Sequence, residues 1–332
     1  MTPIRQREGE SGVDARPGGQ PPRHAQPCVG QRERSQSPTL ELRAGGASLG
    51  LLPDVGGSIG FWRNGDMEFL HPVTDPHLVA QHGRAVAGYP LVPFSNRVAG
   101  DHFRFEGVDY HLAPSFAGEN CAIHGNGWQR RWRIDMLSDS SATLALEHRP
   151  TRELAPQWPF SYRAQLRYDL REAGLSIGVL VENTDTRNQP VGMGFHPYFP
   201  RHDGLKLGFA ASSVWTGGPD HAPALRVPAE GNWSFAHMRD VGAGTIDNCY
   251  AGWSGSAFLR WPRRGYALTV EASAALRHLV LFTPPQHPYI GLEPVSNMND
   301  GFNRPDIADN GVRVLAPGEK MEGHIRMTLS RC

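Results

Sequence analysis

A histidine at position 196 lies between a proline and aromatic rings, in the segment Gly194-Phe195-His196-Pro197-Tyr198-Phe199. Pro197 restricts its own φ and disfavours the helical region for the preceding residue, so we expect His196 to project from the end of a strand. An imidazole can give or take a proton near neutral pH, and flanking rings can form a wall for the apolar face of a cyclic ligand. The alternative is a half-buried histidine of the core.

A carboxylate near the carboxyl-terminal end of the chain is the second candidate. Glu293 follows the apolar run at residues 288–292, so we expect it at the end of a buried strand. Apolar surroundings raise the pKa of a carboxyl group toward neutrality, which suits a general base. The alternative is a buried glutamate paired with an arginine.

Two further segments carry groups that could orient hydroxyls. Asn96-Arg97 combines an amide with a guanidinium, and both donate hydrogen bonds in fixed planar geometries. Asp247 could accept hydrogen bonds from hydroxyl groups. The alternatives are a surface loop with a salt bridge for the pair and an ordinary turn residue for the aspartate.

A glycine-rich loop surrounds another histidine. His124 begins the segment His124-Gly125-Asn126-Gly127-Trp128, and Trp132 follows shortly after it. The two glycines allow close approach of the backbone to another group, and an indole face can stack on the C–H-rich surface of a sugar. The alternative is a hairpin turn whose tryptophan packs into the core.

Composition excludes several classes of function. Lysine plus arginine equals aspartate plus glutamate (33 each), so no charge excess indicates binding to nucleic acid or an anionic membrane. No apolar run is long enough to span a bilayer, and no secretory signal is recognised. Four cysteines without a C-x-x-C pair favour free thiols in a reducing cytoplasm.

Motif searches exclude other chemistry. Fifteen histidines raise the question of a metal site, but H-E-x-x-H and close-spaced histidine and carboxylate sets are missing, so we expect no metal. The chain has no P-loop and no G-x-G-x-x-G at a helix start. Its G-x-S-x-G matches, at residues 46–50, 56–60 and 174–178, fall in segments without helical periodicity, so none is a strand-to-helix elbow. Acyl transfer and nucleotide chemistry therefore have no support, and we expect no cofactor.

Short alternating runs predict an all-β fold. Alternation is strongest at residues 162–170 and resumes at 175–181 after the turn Arg171-Glu172-Ala173-Gly174, which predicts an antiparallel hairpin. No long stretch has the 3.6-residue period of a helix. We therefore expect one large antiparallel β-sandwich. Further strands are predicted at residues 40–43, 47–53, 58–62, 143–147, 266–270, 276–282 and 324–329.

The amino-terminal part differs in composition from the rest. Arginine, glutamine, glycine, proline and serine dominate residues 1–38, which hold too few apolar side chains to offset the entropy of ordering. We expect a disordered extension at 1–38, dispensable for folding, and a single domain at 39–332, since that range shows no repeat and no linker.

Taken together and in order, the candidate segments resemble the aldose 1-epimerase (galactose mutarotase-like) family. That family has an Asn-Arg pair, a His-Gly, a His-x-Tyr-Phe segment, an aspartate before a tyrosine, and a Glu-Pro followed by Phe-Asn. In this chain the matching residues are Asn96-Arg97, His124-Gly125, His196-Pro197-Tyr198-Phe199, Asp247 with Tyr250, Glu293-Pro294 and Phe302-Asn303.

The resemblance implies a β-sandwich with a sugar cleft and a mutarotase activity on a free aldose. By position, Glu293 would be the general base and His196 the general acid, and neither a metal nor a cofactor would be needed. Asn96, Arg97, His124 and Asp247 would bind the sugar. It also implies a cytoplasmic monomer or homodimer whose partner is a small sugar, with no nucleic acid and no membrane.

Three alternatives remain open at this point. The chain departs from the best-known branch at Pro200-Arg201 and after Glu-Pro, so the sugar is not identified. Arg130 and Arg131 leave a hexose-6-phosphate 1-epimerase open, because a phosphate needs a basic pocket. A non-catalytic sugar-binding protein is the second alternative. A hydrolase or lyase is the third, with Asp247 as the second carboxylate.

Overall fold

The structure is a computed structural model and describes residues 39–73, 86–116, 118–202, 204–218, 223–242 and 244–332. The predicted disordered extension, residues 1–38, lies outside these ranges. Across them, no helix is long and apolar enough to span a bilayer. The helical segments in these ranges are single 3₁₀ turns at Ala99–Asp101, Gly127–Gln129, Gly231–Trp233, Pro262–Arg264 and Gly301–Asn303.

Eleven strands form the sheet that carries His196, Asp247 and Glu293. Ten of them are, in spatial order, β1 (Leu40–Ala44), β2 (Ala47–Leu52), β3 (Ser58–Asn64), β5 (Gly88–Leu91), β15 (Gly194–Pro200), β24 (Tyr289–Val295), β23 (His278–Phe282), β20 (Asp247–Ala251), β17 (Ser213–Gly217) and β18 (Pro223–Pro228). The eleventh, β4 (Met67–Glu68), pairs with β3.

Nine strands form the second sheet. They are, in spatial order, β10 (Arg133–Leu137), β11 (Ser141–His148), β12 (Tyr162–Arg171), β13 (Gly174–Asn183), β26 (Lys320–Arg331), β22 (Tyr266–Ala272), β21 (Ser256–Trp261), β16 (Lys206–Phe209) and β19 (Arg239–Asp240). Three two-stranded ribbons complete the fold: β14 (Gln189–Val191) with β25 (Arg313–Leu315), β6 (Arg97–Val98) with β9 (Ala122–Ile123), and β7 (His102–Phe105) with β8 (Val108–His111).

The predicted all-β antiparallel sandwich is confirmed. Strands β12 and β13 pair along their whole length up to Arg171 opposite Gly174, as the alternating pattern predicts. Every second residue of β12 and β13 is buried, because one face of the nine-stranded sheet packs on the main core while the other meets solvent. The other predicted strands all overlap observed ones.

The centre of the eleven-stranded sheet, by contrast, is covered on both faces: all seven residues of β15 are buried. Phe195 and Phe199 point into the main core between the sheets. His196 and Tyr198 therefore point to the opposite face, because successive side chains of a strand alternate. The expectation that the flanking rings form a wall for a ligand is therefore wrong for Phe195 and Phe199, because only Tyr198 shares the histidine's face.

The same alternation places Glu293. Ile290 and Leu292 of β24 belong to the main core, so Glu293 points to the face of His196. The sequence suggested that Glu293 ends its strand. It does not, because Val295, two residues later, still pairs with β15 and β23. His196, likewise, lies inside β15 and not at its end. Proline at the next position is compatible with an extended backbone, so neither Pro197 nor Pro294 ends the strand.

Strand register brings the two candidates together. β15 and β24 are antiparallel neighbours, with Gly194 opposite Val295 and Tyr198 opposite Gly291. This register puts His196 directly opposite Glu293. Opposed side chains on one face of an antiparallel pair have Cβ atoms about 4.5–5.5 Å apart, so the fold makes His196 and Glu293 cross-strand neighbours.

Candidate active site

A cavity of about 270 Å³ lies on the outer face of the eleven-stranded sheet. Its polar lining consists of the six residues singled out from the sequence: Asn96, Arg97, His124, His196, Asp247 and Glu293. Its apolar lining consists of Tyr89, Phe116, Ile123, Trp128, Tyr198 and Phe282. The cavity therefore combines hydrogen-bonding groups with aromatic faces, as a sugar site requires.

A larger concavity, about 850 Å³, lies on the nine-stranded sheet. Its charged lining includes Arg167 with Asp169 and Glu322 with His324, which pair with one another at exposed positions. The ion pairs that line this depression are solvated, so the depression contains no buried acid or base. We therefore place the candidate chemistry in the smaller cavity.

The acid–base candidates touch at the bottom of the cavity. His196 Nε2 lies 3.1 Å from Glu293 Oε1, and both side chains are at most 5% exposed. The other carboxylate oxygen, Glu293 Oε2, has no hydrogen-bond partner in the described part of the chain. This oxygen is therefore able to accept a proton from a bound ligand.

Neighbouring rings hold the imidazole of His196. The ring centroid of Tyr198 lies 4.3 Å from it and that of Tyr89 lies 4.9 Å from it. A Cβ added at Gly291 would lie 2.8 Å from His196 Cε1, so the glycine leaves room for the ring. Burial, with a side-chain hydrogen bond between Tyr198 and Tyr89 contributing, keeps the pKa of Tyr198 far above its ordinary value.

Burial also controls the carboxyl group of Glu293. It raises the pKa of Glu293 well above that of an ordinary glutamate, and the negative charge of Asp247 raises it further. The positive charge of Arg97 acts in the opposite direction. A carboxylate whose pKa is raised binds a proton more strongly, which is the property of a general base near neutral pH.

His124 presents a proton donor to the same cavity. The backbone N–H of Asn96 donates a hydrogen bond to His124 Nδ1 at 3.0 Å, so the neutral imidazole carries its proton on Nε2. His124 and Gly125 both have left-handed backbone conformations, with φ values of 64° and 66°. The carbonyl oxygen of Val92 lies 2.2 Å from an ideal Cβ at Gly125, so the glycine does allow the close backbone approach expected of it.

A segment after β24 positions Asn96-Arg97. The side chain of Asn297 accepts from the backbone N–H and hydroxyl of Ser95, and its amide donates to the carbonyl of Ser95. Asp300 donates its backbone N–H to the carbonyl of Arg97. The sequence patterns did not identify Asn297 or Asp300 as positioning residues, since only the fold brings them to residues about 200 positions earlier in the chain.

The guanidinium of Arg97 lies between two carboxylates. Its Nη1 is 3.8 Å from Asp247 Oδ2, and its Nη2 is 3.7 Å from Glu119 Oε2. Asp247 lies at the start of β20, opposite Phe282 of β23. Glu119 was missed in the sequence, because a single glutamate in a loop carries no pattern.

The three groups His124, His196 and Glu293 also have donor atoms within 4.8 Å of one another, a spacing that could hold a metal ion. The hydrogen bond received by His124 Nδ1 argues against this use, because it leaves a proton on Nε2, and a protonated nitrogen cannot coordinate a metal. The absence of a metal stays a prediction, and the proton on His124 Nε2 supports it.

Other sequence candidates lie away from the cavity. Trp132 belongs to the main core, which was the alternative prediction for a tryptophan of this loop. Trp128, in contrast, lines the cavity. Arg131 is exposed and forms a two-bond ion pair with Asp54. Arg130 also does not line the cavity. The sequence patterns did not identify Tyr89 as a residue of the cavity. It lies opposite His196 in the pairing of β5 with β15, which local sequence does not reveal.

Comparison with known proteins places this geometry in a family. The sequence profile of the family described as Aldose 1-epimerase matches residues 38–328. The "Uncharacterized protein YphB" of Escherichia coli (strain K12) is 30% identical over 277 residues, covering 80% of this chain and 90% of that protein.

Solved structures show the same fold. An Escherichia coli K12 protein provisionally assigned as an aldose 1-epimerase superposes with a TM-score of 0.81 at 26% identity, covering 89% of this chain and 99% of its own. A galactose mutarotase-like protein from Clostridium acetobutylicum superposes with a TM-score of 0.78 at 17% identity, covering 88% and 95%. The profile match spans most of the sequence, and the chain therefore belongs to the aldose 1-epimerase family.

Proposed function

We propose that this chain is a mutarotase that interconverts the α and β anomers of a free, uncharged aldose. The observation that carries the proposal is the contact of 3.1 Å between His196 Nε2 and Glu293 Oε1 at the bottom of the cavity. Anomerisation moves one proton off the anomeric hydroxyl and one onto the ring oxygen. Both oxygens are bonded to the same carbon, so the acid and the base must be adjacent.

The proposed reaction begins with Glu293 as carboxylate and His196 as imidazolium. Glu293 takes the proton of the anomeric hydroxyl while His196 gives a proton to the ring oxygen, and the bond between the anomeric carbon and that oxygen breaks. The open aldehyde rotates about one carbon–carbon bond and closes on the other face with the two roles reversed. Both catalytic groups return to their starting states, so no cofactor is required.

The remaining polar lining supplies binding and orientation. His124 Nε2–H, Asn96 and Arg97 are donors, and Asp247 is an acceptor, so the set matches hydroxyl groups. Tyr89, Trp128 and Phe282 offer apolar faces for the C–H groups of the ring.

Three alternatives lose support from the same geometry. A hexose-6-phosphate needs cationic groups, yet Arg97 is the one arginine or lysine in the described cavity lining and it already contacts two carboxylates. A non-catalytic sugar-binding protein has no need of an adjacent acid and base. For a hydrolase, Asp247 would be the second carboxylate, and its contact with Arg97 supports a binding role instead.

The direct test is a panel of sugars. Fresh α-D-glucose and α-D-galactose are followed by polarimetry, and their 6-phosphates by magnetisation-exchange NMR. We expect the protein to accelerate anomerisation of at least one free sugar, with kcat/KM at least about tenfold higher than for its phosphate. A protein that accelerates no aldose beyond the buffer rate would overturn the proposal.

The pH dependence provides an independent prediction. The ascending limb of the pH profile of kcat/KM reports ionisation of the coupled pair in the free enzyme. We expect the midpoint of this limb at a pH above 4.5, the ordinary pKa of a glutamate. The negative charge of Asp247 raises the pKa of Glu293, so Asp247→Asn should move this limb to lower pH. Arg97 lowers that pKa, so Arg97→Gln should move the limb to higher pH. Shifts in the same direction for both variants would contradict the assignment.

A further inference from the structure

A buried asparagine lies within the loop that carries two residues of the cavity lining. Asn126 is 1% exposed and does not itself line the cavity. Its Oδ1 accepts a hydrogen bond from the hydroxyl of Tyr162 at 2.5 Å. Its Nδ2 donates to Gln157 Oε1 at 3.2 Å and lies 3.1 Å from His148 Nδ1. Both polar atoms of this side chain therefore have partners outside the loop.

These partners belong to the nine-stranded sheet and to the segment that connects two of its strands. His148 ends β11, Tyr162 begins β12, and Gln157 lies between them in the chain. His148 and Tyr162 are opposite each other in the pairing of β11 with β12, and their rings stack with centroids 5.1 Å apart. Asn126 thus connects the loop of the cavity to the second sheet of the sandwich.

The hydrogen-bond partners of His148 fix its protonation state. Its Nε2 lies 2.8 Å from the carbonyl oxygen of Trp158, which can only accept, so Nε2 carries a proton. Its Nδ1 faces the amide nitrogen of Asn126, which can only donate, so Nδ1 carries none. Burial lowers the pKa of His148, the Trp158 carbonyl acts in the opposite direction, and the positive charge of Arg130 lowers it again. The neutral imidazole is therefore the form that pairs with Asn126.

The loop has to be held because its backbone is strained where it presents His124. The φ of His124 is 64°, in the left-handed region that residues other than glycine rarely adopt. Such a conformation persists only where the surrounding contacts enforce it. The carbonyl oxygen of Asn96 accepts the N–H of His124 at 2.9 Å, and that of Val92 accepts the N–H of Gly127 at 3.0 Å. The side chain of Asn126, between these two contacts, adds the connection to the second sheet.

We propose that Asn126 is a positioning residue of the sugar site: it fixes the loop conformation in which His124 Nε2–H faces the bound sugar. Tyr162 and His148 hold the amide in place. The proposal rests on the proposed function, since it concerns the same site. Because Asn126 does not line the cavity, it acts on the sugar through His124. Its signature is an effect that disappears when His124 is removed.

A double-mutant cycle tests this route of action. Asn126→Ala should lower kcat/KM for the preferred aldose about 10²-fold, because displacing a substrate-positioning group by about 1 Å has an effect of that size. In a His124→Ala background, the same substitution should change kcat/KM by less than about twofold. Asn232→Ala, at an exposed position, should have no effect in either background. A loss that is equally large with and without His124 would mean that Asn126 acts on the fold in general, and it would overturn the proposal.

Tyr162→Phe is a milder variant, for the case that Asn126→Ala does not fold. It removes the hydroxyl bonded to Asn126 Oδ1 and keeps the ring in the core, and we expect kcat/KM to fall about tenfold. Tyr266→Phe is the matched control, because the hydroxyl of this buried tyrosine donates to the carbonyl of Glu68, away from the cavity lining. Both variants lose one hydrogen bond from a buried tyrosine of the same sheet. Equal kcat/KM in the two variants would therefore contradict the proposal.

The imidazole of His124 can also be followed without a sugar. Its Nδ1 accepts the backbone N–H of Asn96, so ¹⁵N NMR of histidine-labelled wild type should show a single tautomer with the proton on Nε2. The signal that is missing in His124→Ala assigns this residue. Asn126→Ala and Tyr162→Phe should shift the signal toward the average of the two tautomers, whereas Tyr266→Phe should not.

This readout separates the two proposals. An unchanged His124 signal in both Asn126→Ala and Tyr162→Phe would overturn the positioning role, whether or not the protein anomerises a sugar. A shifted signal in a protein that accelerates no aldose would support the positioning of His124 and overturn the proposed function alone.

Discussion

Glu293→Gln is expected to lower kcat for the preferred aldose by about 10²–10⁴-fold, because it removes the proposed base and leaves the shape of the cavity unchanged. The amide cannot accept the proton of the anomeric hydroxyl at Oε2. Polarimetry at saturating sugar measures the loss, and KM should change far less than kcat. Glu147→Gln, at an exposed position on β11 of the other sheet, is the matched control.

Stability separates loss of the base from loss of the fold. The pKa of Glu293 is raised in the folded chain, so the folded state holds this proton more tightly than the unfolded state. Ionising it therefore destabilises the fold as pH rises above the unfolded value, and Gln avoids this cost. Thermal unfolding should show the stability of Glu293→Gln relative to wild type increasing from about pH 5 to pH 8. Wild-type kcat in a folded Glu293→Gln protein would exclude Glu293 as the base.

His196→Ala is expected to lower kcat by a similar factor, about 10²–10⁴, because it removes the proposed donor to the ring oxygen. The truncation also leaves a space between Tyr89 and Tyr198 where the imidazole was packed. Added imidazole should enter this space and restore part of kcat. His324→Ala, at an exposed position on β26, should show neither the loss nor the rescue.

The two catalytic predictions are coupled. If His196 and Glu293 act on the same proton transfers, the double variant should lose little more than either single variant, since one missing partner already stops the concerted step. If the fold-losses of kcat in the two single variants multiply in the double variant, the two residues contribute independently. That result would contradict the adjacency on which the proposed mechanism depends.

The fold that this chain shares with its relatives does not determine which sugar it takes. The two solved relatives superpose over nearly their whole lengths, so the fold is shared, while identities of 26% and 17% leave room for different ligands. The sugar panel is therefore the experiment that identifies the aldose.

Local pattern was enough to predict the fold class and the candidate residues. Alternating apolar positions predicted the hairpin of β12 and β13, because the period of a half-buried strand is visible in consecutive residues. The polar segments, together with their resemblance to the aldose 1-epimerase family, identified all six polar residues that line the cavity. These inferences depend on residue types and near neighbours, which the sequence contains directly.

Tertiary structure decided how those residues meet. His196 and Glu293 are 97 positions apart in the sequence, and only the pairing of β15 with β24 makes them opposite each other. Strand alternation, once the buried face is known, turns Phe195 and Phe199 into the core and leaves Tyr198 beside the cavity.

The ion pairs of Arg97 with Glu119 and Asp247, and the contacts of Tyr89, likewise depend on strand and loop positions. No local pattern encodes them, since pairing between distant strands is selected by the packing of the whole sandwich.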